Sequence, residues 1–121
     1  MKALVVDDSM TIRRIVVKAL AMVGITDTAE AADGMEAVAA IKQSEFDVML
    51  LDWNMPKMSG IDTLRAVRGM GNKIPIIMVT TEAEKARVIE AIKAGANDYL
   101  IKPFTPEQLA AKVKPHVPAG T

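Results

Sequence analysis

Several short apolar runs in this chain end in side chains able to do chemistry. Asp7 and Asp8 follow Ala3–Val6, Asp52 follows Val48–Leu51, Thr80 and Thr81 follow Ile76–Val79, and Lys102 and Pro103 follow a short run from Asp98. If those runs are parallel strands, three carboxylates, a hydroxyl and an ammonium emerge along one rim. Unit charges about 4 Å apart repel by roughly 4 kcal/mol at an effective dielectric near 20. Three unpaired acids would weigh heavily on a fold of ordinary marginal stability, so a positive partner is expected there. The donors are hard oxygens, which favours Mg²⁺, an ion that uses one or two carboxylates and keeps waters for phosphate groups. No cluster of histidines competes, since the only histidine is His116 in the tail. With the acids offset, one carboxylate can act as nucleophile toward phosphorus, with Lys102 and Thr80 holding the phosphoryl oxygens. Each residue also has a plainer reading: Asp8 or Ser9 as a cap of the first helix, Thr80 or Thr81 as a cap of the fourth, Asp52 as a loop acid, Lys102 as a solvated amine.

The elements that must position these residues can be read from the hydrophobic pattern. Ala3–Val6, Val48–Leu51 and Ile76–Val79 are continuous apolar runs of strand length, as expected for strands buried on both faces. Thr26–Ala31 and Asp98–Lys102 complete five strands. Between them lie amphipathic segments. Ile12, Ile15, Val16, Ala19, Leu20 and Val23 share one helical face, with Arg13, Arg14 and Lys18 elsewhere, and Gly24 is a stop signal. Further helices fit Gly34–Gln43, Ser59–Met70, Glu82–Ala94 and Pro106–Lys114. This alternation predicts an α/β fold, a doubly wound five-stranded parallel sheet with five helices on its two faces. The polar second strand and short fifth strand suit edges, giving the order 2-1-3-4-5, with the functional crevice at the carboxyl ends of strands one and three.

Composition sets the outer limits. A chain of 121 residues, 50% apolar and 25% charged, suits one domain able to fold without staples. Fifteen basic residues balance fifteen acidic ones, so neither nucleic acid nor a membrane surface is expected as an electrostatic partner. The absence of cysteine excludes disulfides, thiolate metal sites and thiol nucleophiles. Asp7 and Asp8 interrupt the first apolar run far short of a leader's hydrophobic segment, and Ile15–Ile25 contains Lys18 and is too short to span a bilayer. A cytoplasmic single domain over 1–121 is expected, its segment 115–121 a frayed tail or the start of a linker.

Taken together, Asp7-Asp8, Asp52-Trp53-Asn54-Met55-Pro56, Thr80 with Glu82, and Tyr99-Leu100-Ile101-Lys102-Pro103-Phe104 resemble the response-regulator receiver family, from Lys2 to about Val113. The resemblance implies a flavodoxin-like fold and a two-component signalling switch, modified on itself. It implies Asp52 as phosphoacceptor, with a sensor histidine kinase's phosphohistidine as donor. It assigns Asp8, Asp52 and the backbone carbonyl of Asn54 to Mg²⁺, or Mn²⁺ in its place, with Asp7 acting through water. Lys102 would contact a phosphoryl oxygen, aimed by a cis bond before Pro103. Thr80 and Tyr99 would be the switch pair, and Asn54 and Glu82 would tune how long the phosphoryl group lasts. The output surface would be helix four, strand five and helix five, including Lys85, Val88, Lys93 and Tyr99. Its implied partners are a downstream target, with the flagellar motor switch of chemotaxis as candidate, and an auxiliary phosphatase.

Other residues carry two readings. Trp53 is expected to be exposed, although its type suits packing equally. Tyr99 is by type alone a plain edge-strand aromatic. Most of the nine methionines read as core filler, with Met10 and Met58 candidates for the pocket mouth. Gly34 and Gly60 read as backbone-geometry residues. A haloacid-dehalogenase-type phosphatase is the enzyme alternative, but it wants its nucleophile on the first strand and a second Asp two residues on, where this chain has Ser9. A flavin binder would need a phosphate loop where Asp7 and Asp8 stand.

Overall fold

Three strands, β1 (Lys2–Val6), β3 (Val48–Leu51) and β4 (Ile76–Thr80), are buried on both faces, apart from Lys2 at the start of β1. Their side chains alternate between two cores. Leu4, Val6, Met49, Leu51, Ile76 and Met78 face one, while Ala3, Val5, Val48, Leu50, Ile77 and Val79 face the other. Such strands must be covered twice, and the helices do so. α2 (Gly34–Gln43), α3 (Gly60–Gly69) and α4 (Lys85–Ala94) supply Ala37, Ile41, Ile61, Leu64, Val67 and Ala91 to the first core. α1 (Met10–Ala21) and α5 (Pro106–Val113) supply Val16, Ala19, Leu20, Leu109 and Val113 to the second.

In the computed structural model, which describes residues 1–117, the sheet is entirely parallel with the order β2-β1-β3-β4-β5. The polar β2 (Asp27–Ala31) and short β5 (Asp98–Ile101) take the edges as the pattern predicts. Among the described residues no helix is long and apolar enough to cross a membrane. The expected tail enters a short 3₁₀ turn at Lys114–His116, and Val117 packs partly on the second core. Pro118–Thr121 lie outside the described residues.

Four helices begin at a side-chain cap. Ser9, Asp33, Ser59 and Thr105 accept the amides of Ile12, Glu36, Asp62 and Gln108, and Thr105 with Gln108 forms a full capping box. α4 is the exception. Its N-cap Glu84 makes no side-chain bond, and only Ala91 of the helix is buried. It also starts three residues later than the expected Glu82. The Glu82 amide is drawn to Thr80 Oγ1 (3.3 Å) and its carbonyl accepts the Tyr99 hydroxyl (2.6 Å), so Glu82 belongs to the loop. α1 ends at Ala21 rather than Val23, because Met22, Val23 and Gly24 donate to carbonyls only three residues back and Gly24 turns with φ 84.

Two expectations about side chains need correction. Trp53 is buried, 6% exposed, within the first core. Of the methionines only Met49 and Met78 are fully buried, whereas Met10, Met22, Met35 and Met70 are exposed. They lie on outward helix faces or at helix ends, where hydrophobic type alone does not bury a residue.

Candidate functional site

Backbone pairing continues past the strand ends and fixes where the acids emerge. Asp7 N–H donates to Ala31 O (3.1 Å), Asp52 N–H to Val6 O (3.0 Å), and Lys102 N–H to Thr80 O (2.9 Å). These bonds tie the ends of β1, β2 and β3 together, and those of β4 and β5 to each other. Asp7, Asp8 and Asp52 each bring one carboxylate oxygen within 4.8 Å of the others, with Asp7 and Asp52 buried and Asp8 exposed. Lys102 leans in from β5 beside a cis bond to Pro103. Its Nζ lies 2.7 Å from Asp7 Oδ2 and 3.4 Å from Asp52 Oδ2.

Asp7 and Asp52 are further oriented by backbone. Asp7 Oδ1 accepts the Ser9 N–H (2.9 Å), and Asp52 Oδ1 accepts the N–H of Trp53 (2.8 Å). Asp52 therefore has Oδ2 turned toward Lys102. Burial, then the neighbouring Asp7 charge, push the Asp52 carboxyl above its ordinary range, while Lys102, the Trp53 N–H and the Thr80 hydroxyl pull it back. A carboxylate held this way carries more negative potential than its surroundings satisfy, which is what a cation or an electrophilic phosphorus would relieve.

Thr80 and Glu82 stand at the end of β4, whereas Tyr99 sits further back on β5, level with Met78. Thr80 is fully buried at the end of β4. Asn54 Nδ2 donates to Glu82 Oε1 (3.1 Å), so the two residues expected to flank the pocket are joined to each other. Tyr99 is half-buried, and burial followed by the Glu82 charge push its phenol up to about 12. Met10 is exposed and Met58 half-buried. Gly34 and Gly60 are close-approach positions: a Cβ on Gly60 would strike the Asp52 carbonyl oxygen, and one on Gly34 would strike Thr63 Oγ1. Beside the acids, Ile12, Ile15, Thr81, Lys102, Pro103 and Phe104 line an apolar recess of about 360 Å³.

Two residues at the site escaped the sequence reading. Arg13 Nη1 donates to the Asp7 carbonyl (2.7 Å) and its Nε pairs with Glu30 (2.8 Å), binding α1 to the end of β1 and to β2. Its place one turn into the helix after two acids was the available signal. Arg87 lies over the Trp53 ring, 5.6 Å from its centroid. No spacing rule joins residues 34 positions apart.

A parallel α/β sheet with this order is shared by proteins of many activities, so kinship must come from sequence. Residues 3–114 match the family model described as response regulator receiver domain. The chain is 47% identical over 116 residues to the chemotaxis protein CheY of Pseudomonas aeruginosa, covering 94% of each chain. It is 48% identical over 117 residues to CheY1 of Helicobacter pylori, again with 94% of each covered. Its fold superposes on chemotaxis response regulator CheY4 of Vibrio cholerae with a TM-score of 0.87 at 39% identity, spanning 96% of this chain and 98% of that one. Likeness of this extent runs through every strand end that carries the acids, the threonine and the lysine, and so the chain belongs to the response regulator receiver domain family.

Proposed function

We propose that this receiver accepts a phosphoryl group on Asp52 from the phosphohistidine of a sensor histidine kinase. The observation that carries the proposal is the meeting of Asp7, Asp8 and Asp52 with Lys102 at one sheet rim. Asp52 Oδ2 attacks phosphorus, the phosphorus–nitrogen bond breaks, and the imidazole nitrogen keeps the electron pair. The product is an acyl phosphate on the chain itself, which makes the protein a switch rather than a turnover enzyme. Lys102 moves from its acid partners toward a phosphoryl oxygen, and the Thr80 hydroxyl donates to another.

The donor set suits Mg²⁺, with Mn²⁺ as substitute, because three hard carboxylate oxygens cluster beside a single ammonium. Asp8, Asp52 and the Asn54 carbonyl would hold the ion, with Asp7 acting through water. When bound, it supplies positive charge between the carboxylate and the incoming phosphoryl oxygens. The Asn54–Glu82 clasp stands where water must approach, so these two side chains set how long the phosphoryl group lasts. The apolar recess beside Lys102 gives a donor protein a surface to rest on. The output surface is the α4–β5–α5 face. Because the relatives above are named chemotaxis proteins, the flagellar motor switch is the target we assign to it, with an auxiliary phosphatase as a further partner. The haloacid-dehalogenase alternative needs a nucleophile on the first strand, where Asp7 is held by Lys102 and by Ser9 N–H.

Acetyl phosphate with Mg²⁺ is expected to add one acid-stable, base-labile phosphoryl group. Asp52→Asn abolishes it, and peptide mapping that placed the group on another residue would overturn the assignment.

A further inference from the structure

We propose that Arg87 is a positioning residue for Asp52: laid over the Trp53 ring, it ties the first turn of α4 to the residue after the phosphoacceptor and favours the unoccupied site. The inference rests on Asp52 being the phosphoacceptor, and it describes a link between Asp52 and α4 that does not pass through Thr80, while the Arg87 charge also acts on the Tyr99 phenol.

Three observations meet here. The Trp53 N–H donates to Asp52 Oδ1 at 2.8 Å, so a change at that carboxylate reaches the Trp53 backbone directly. The Trp53 ring lies beneath the Arg87 guanidinium, 5.6 Å from its centroid, within the range of cation–π attraction. Arg87 Nη1 also reaches Glu90 Oε1 (3.3 Å), whose other oxygen accepts from Arg65 of α3 (3.0 Å). The link therefore runs from Asp52 through an indole to α4 and across to α3.

α4 is the helix for which such a tie matters most. It lacks the side-chain cap of the other four helices and buries only Ala91. An arginine in its first turn opposes the helix dipole, and the ring face and Glu90 offset that opposition. With so few other contacts, one guanidinium over one indole is a large share of what seats this turn.

The direction follows from charge. Forming an acyl phosphate at Oδ2 turns Oδ1 from a carboxylate oxygen into an acyl oxygen, a weaker acceptor for the Trp53 N–H. Occupancy thus loosens the Arg87–Trp53 contact and frees the start of α4. By linkage, removing the contact favours occupancy.

The test uses beryllofluoride with Mg²⁺ as the phosphoryl stand-in and the indole N–H resonance of Trp53, the single tryptophan. Arg87→Met keeps the stem and removes the cation. It is expected to shift the indole resonance before any ligand is added, to move α4 amides partway toward their occupied positions, and to tighten beryllofluoride binding roughly two- to five-fold. Arg87→Lys, which retains a cation, is expected to stay near wild type. The same ratio should persist in a Thr80→Ala background. Unchanged affinity with an unmoved indole resonance overturns the proposal, and so does weakened binding, which would make Arg87 a direct phosphoryl ligand. Loss of the effect in the Thr80→Ala background overturns the separate route. If wild type itself gives no Mg²⁺-dependent response, the Asp52 reading fails and this inference with it; a normal wild-type response with unaltered Arg87→Met sinks the Arg87 inference alone.

Discussion

Lys102 serves two acids at unequal distances, 2.7 Å to Asp7 and 3.4 Å to Asp52, and the inequality decides which acid is left under-compensated. Asp52 is buried, faces Asp7, and has its carboxyl pushed above the ordinary 3.8 as a result. A carboxyl raised in the folded state favours folding when protonated. That contribution is complete below 3.8 and is lost as pH rises through the higher folded-state value. At pH 7 without metal, Asp52 therefore works against stability. Asp52→Asn is expected to raise the melting temperature there. The gain should shrink as pH falls through the raised value and vanish below about 3.8. Mg²⁺ should reverse the order, since a ligand at 100 times its dissociation constant adds about 2.7 kcal/mol to the form that binds it. Thermal melts at pH 7 and pH 4, with chelator and with Mg²⁺, check all of this. An Asn variant less stable than wild type in chelator at pH 7 contradicts it.

At the scale of elements, the rim is assembled by close backbone packing as much as by strand ends. Gly60 opens α3 with its amide on the Trp53 carbonyl (2.7 Å), and a Cβ there would collide with the Asp52 carbonyl oxygen. Gly60→Ala must push α3 off the Asp52–Trp53 backbone. It is expected to cost about 1–3 kcal/mol in chemical denaturation and to slow labelling by acetyl phosphate. Gly69→Ala, where a Cβ meets nothing within 4 Å, is the control and should be neutral or slightly stabilising. A Gly60 variant as stable as the Gly69 one would show that the loop yields freely. Elements like these were largely legible in the sequence, because strands buried on two faces must be apolar throughout and helices between them must be amphipathic. Asp7, Asp8, Asp52, Thr80 and Lys102 were legible as a group, since a parallel sheet brings its carboxyl ends to one side. What was not legible depends on contacts distant in sequence. The start of α4 moved because Thr80 and Tyr99 both hold Glu82, Trp53 is buried because it packs into the first core, and the preference of Lys102 for Asp7 is a matter of distances that spacing does not contain.

Across the whole molecule, the question is how a group on Asp52 is felt at β5, the far edge of the sheet. Glu82 is the shared point. Its amide is held by the Thr80 hydroxyl oxygen at 3.3 Å and its carbonyl by the Tyr99 hydroxyl at 2.6 Å. Drawing the buried Thr80 hydroxyl toward a phosphoryl oxygen releases the amide, displaces the carbonyl and removes the partner that fixes the half-buried Tyr99 ring. On the proposed switching, the ring would then turn and change the α4–β5–α5 surface. Moving such an equilibrium from 1:99 to 99:1 takes about 5.5 kcal/mol of differential interaction. Bonds to charged groups, at roughly 1.5–3 kcal/mol each, supply that from Lys102, Thr80 and the loop amides together. Beryllofluoride with Mg²⁺ is therefore expected to shift amide resonances from Thr80 through Phe104. Thr80→Ala should still bind it but lose most shifts around Tyr99 and along β5, keeping those that pass through Trp53 to the first turn of α4. Tyr99→Phe, which removes only the donation to Glu82, should leave the β4–α4 loop displaced before any ligand is added. If Thr80→Ala showed the complete wild-type pattern, the threonine would not be the transmitter to Tyr99, even with the phosphoryl group correctly placed on Asp52.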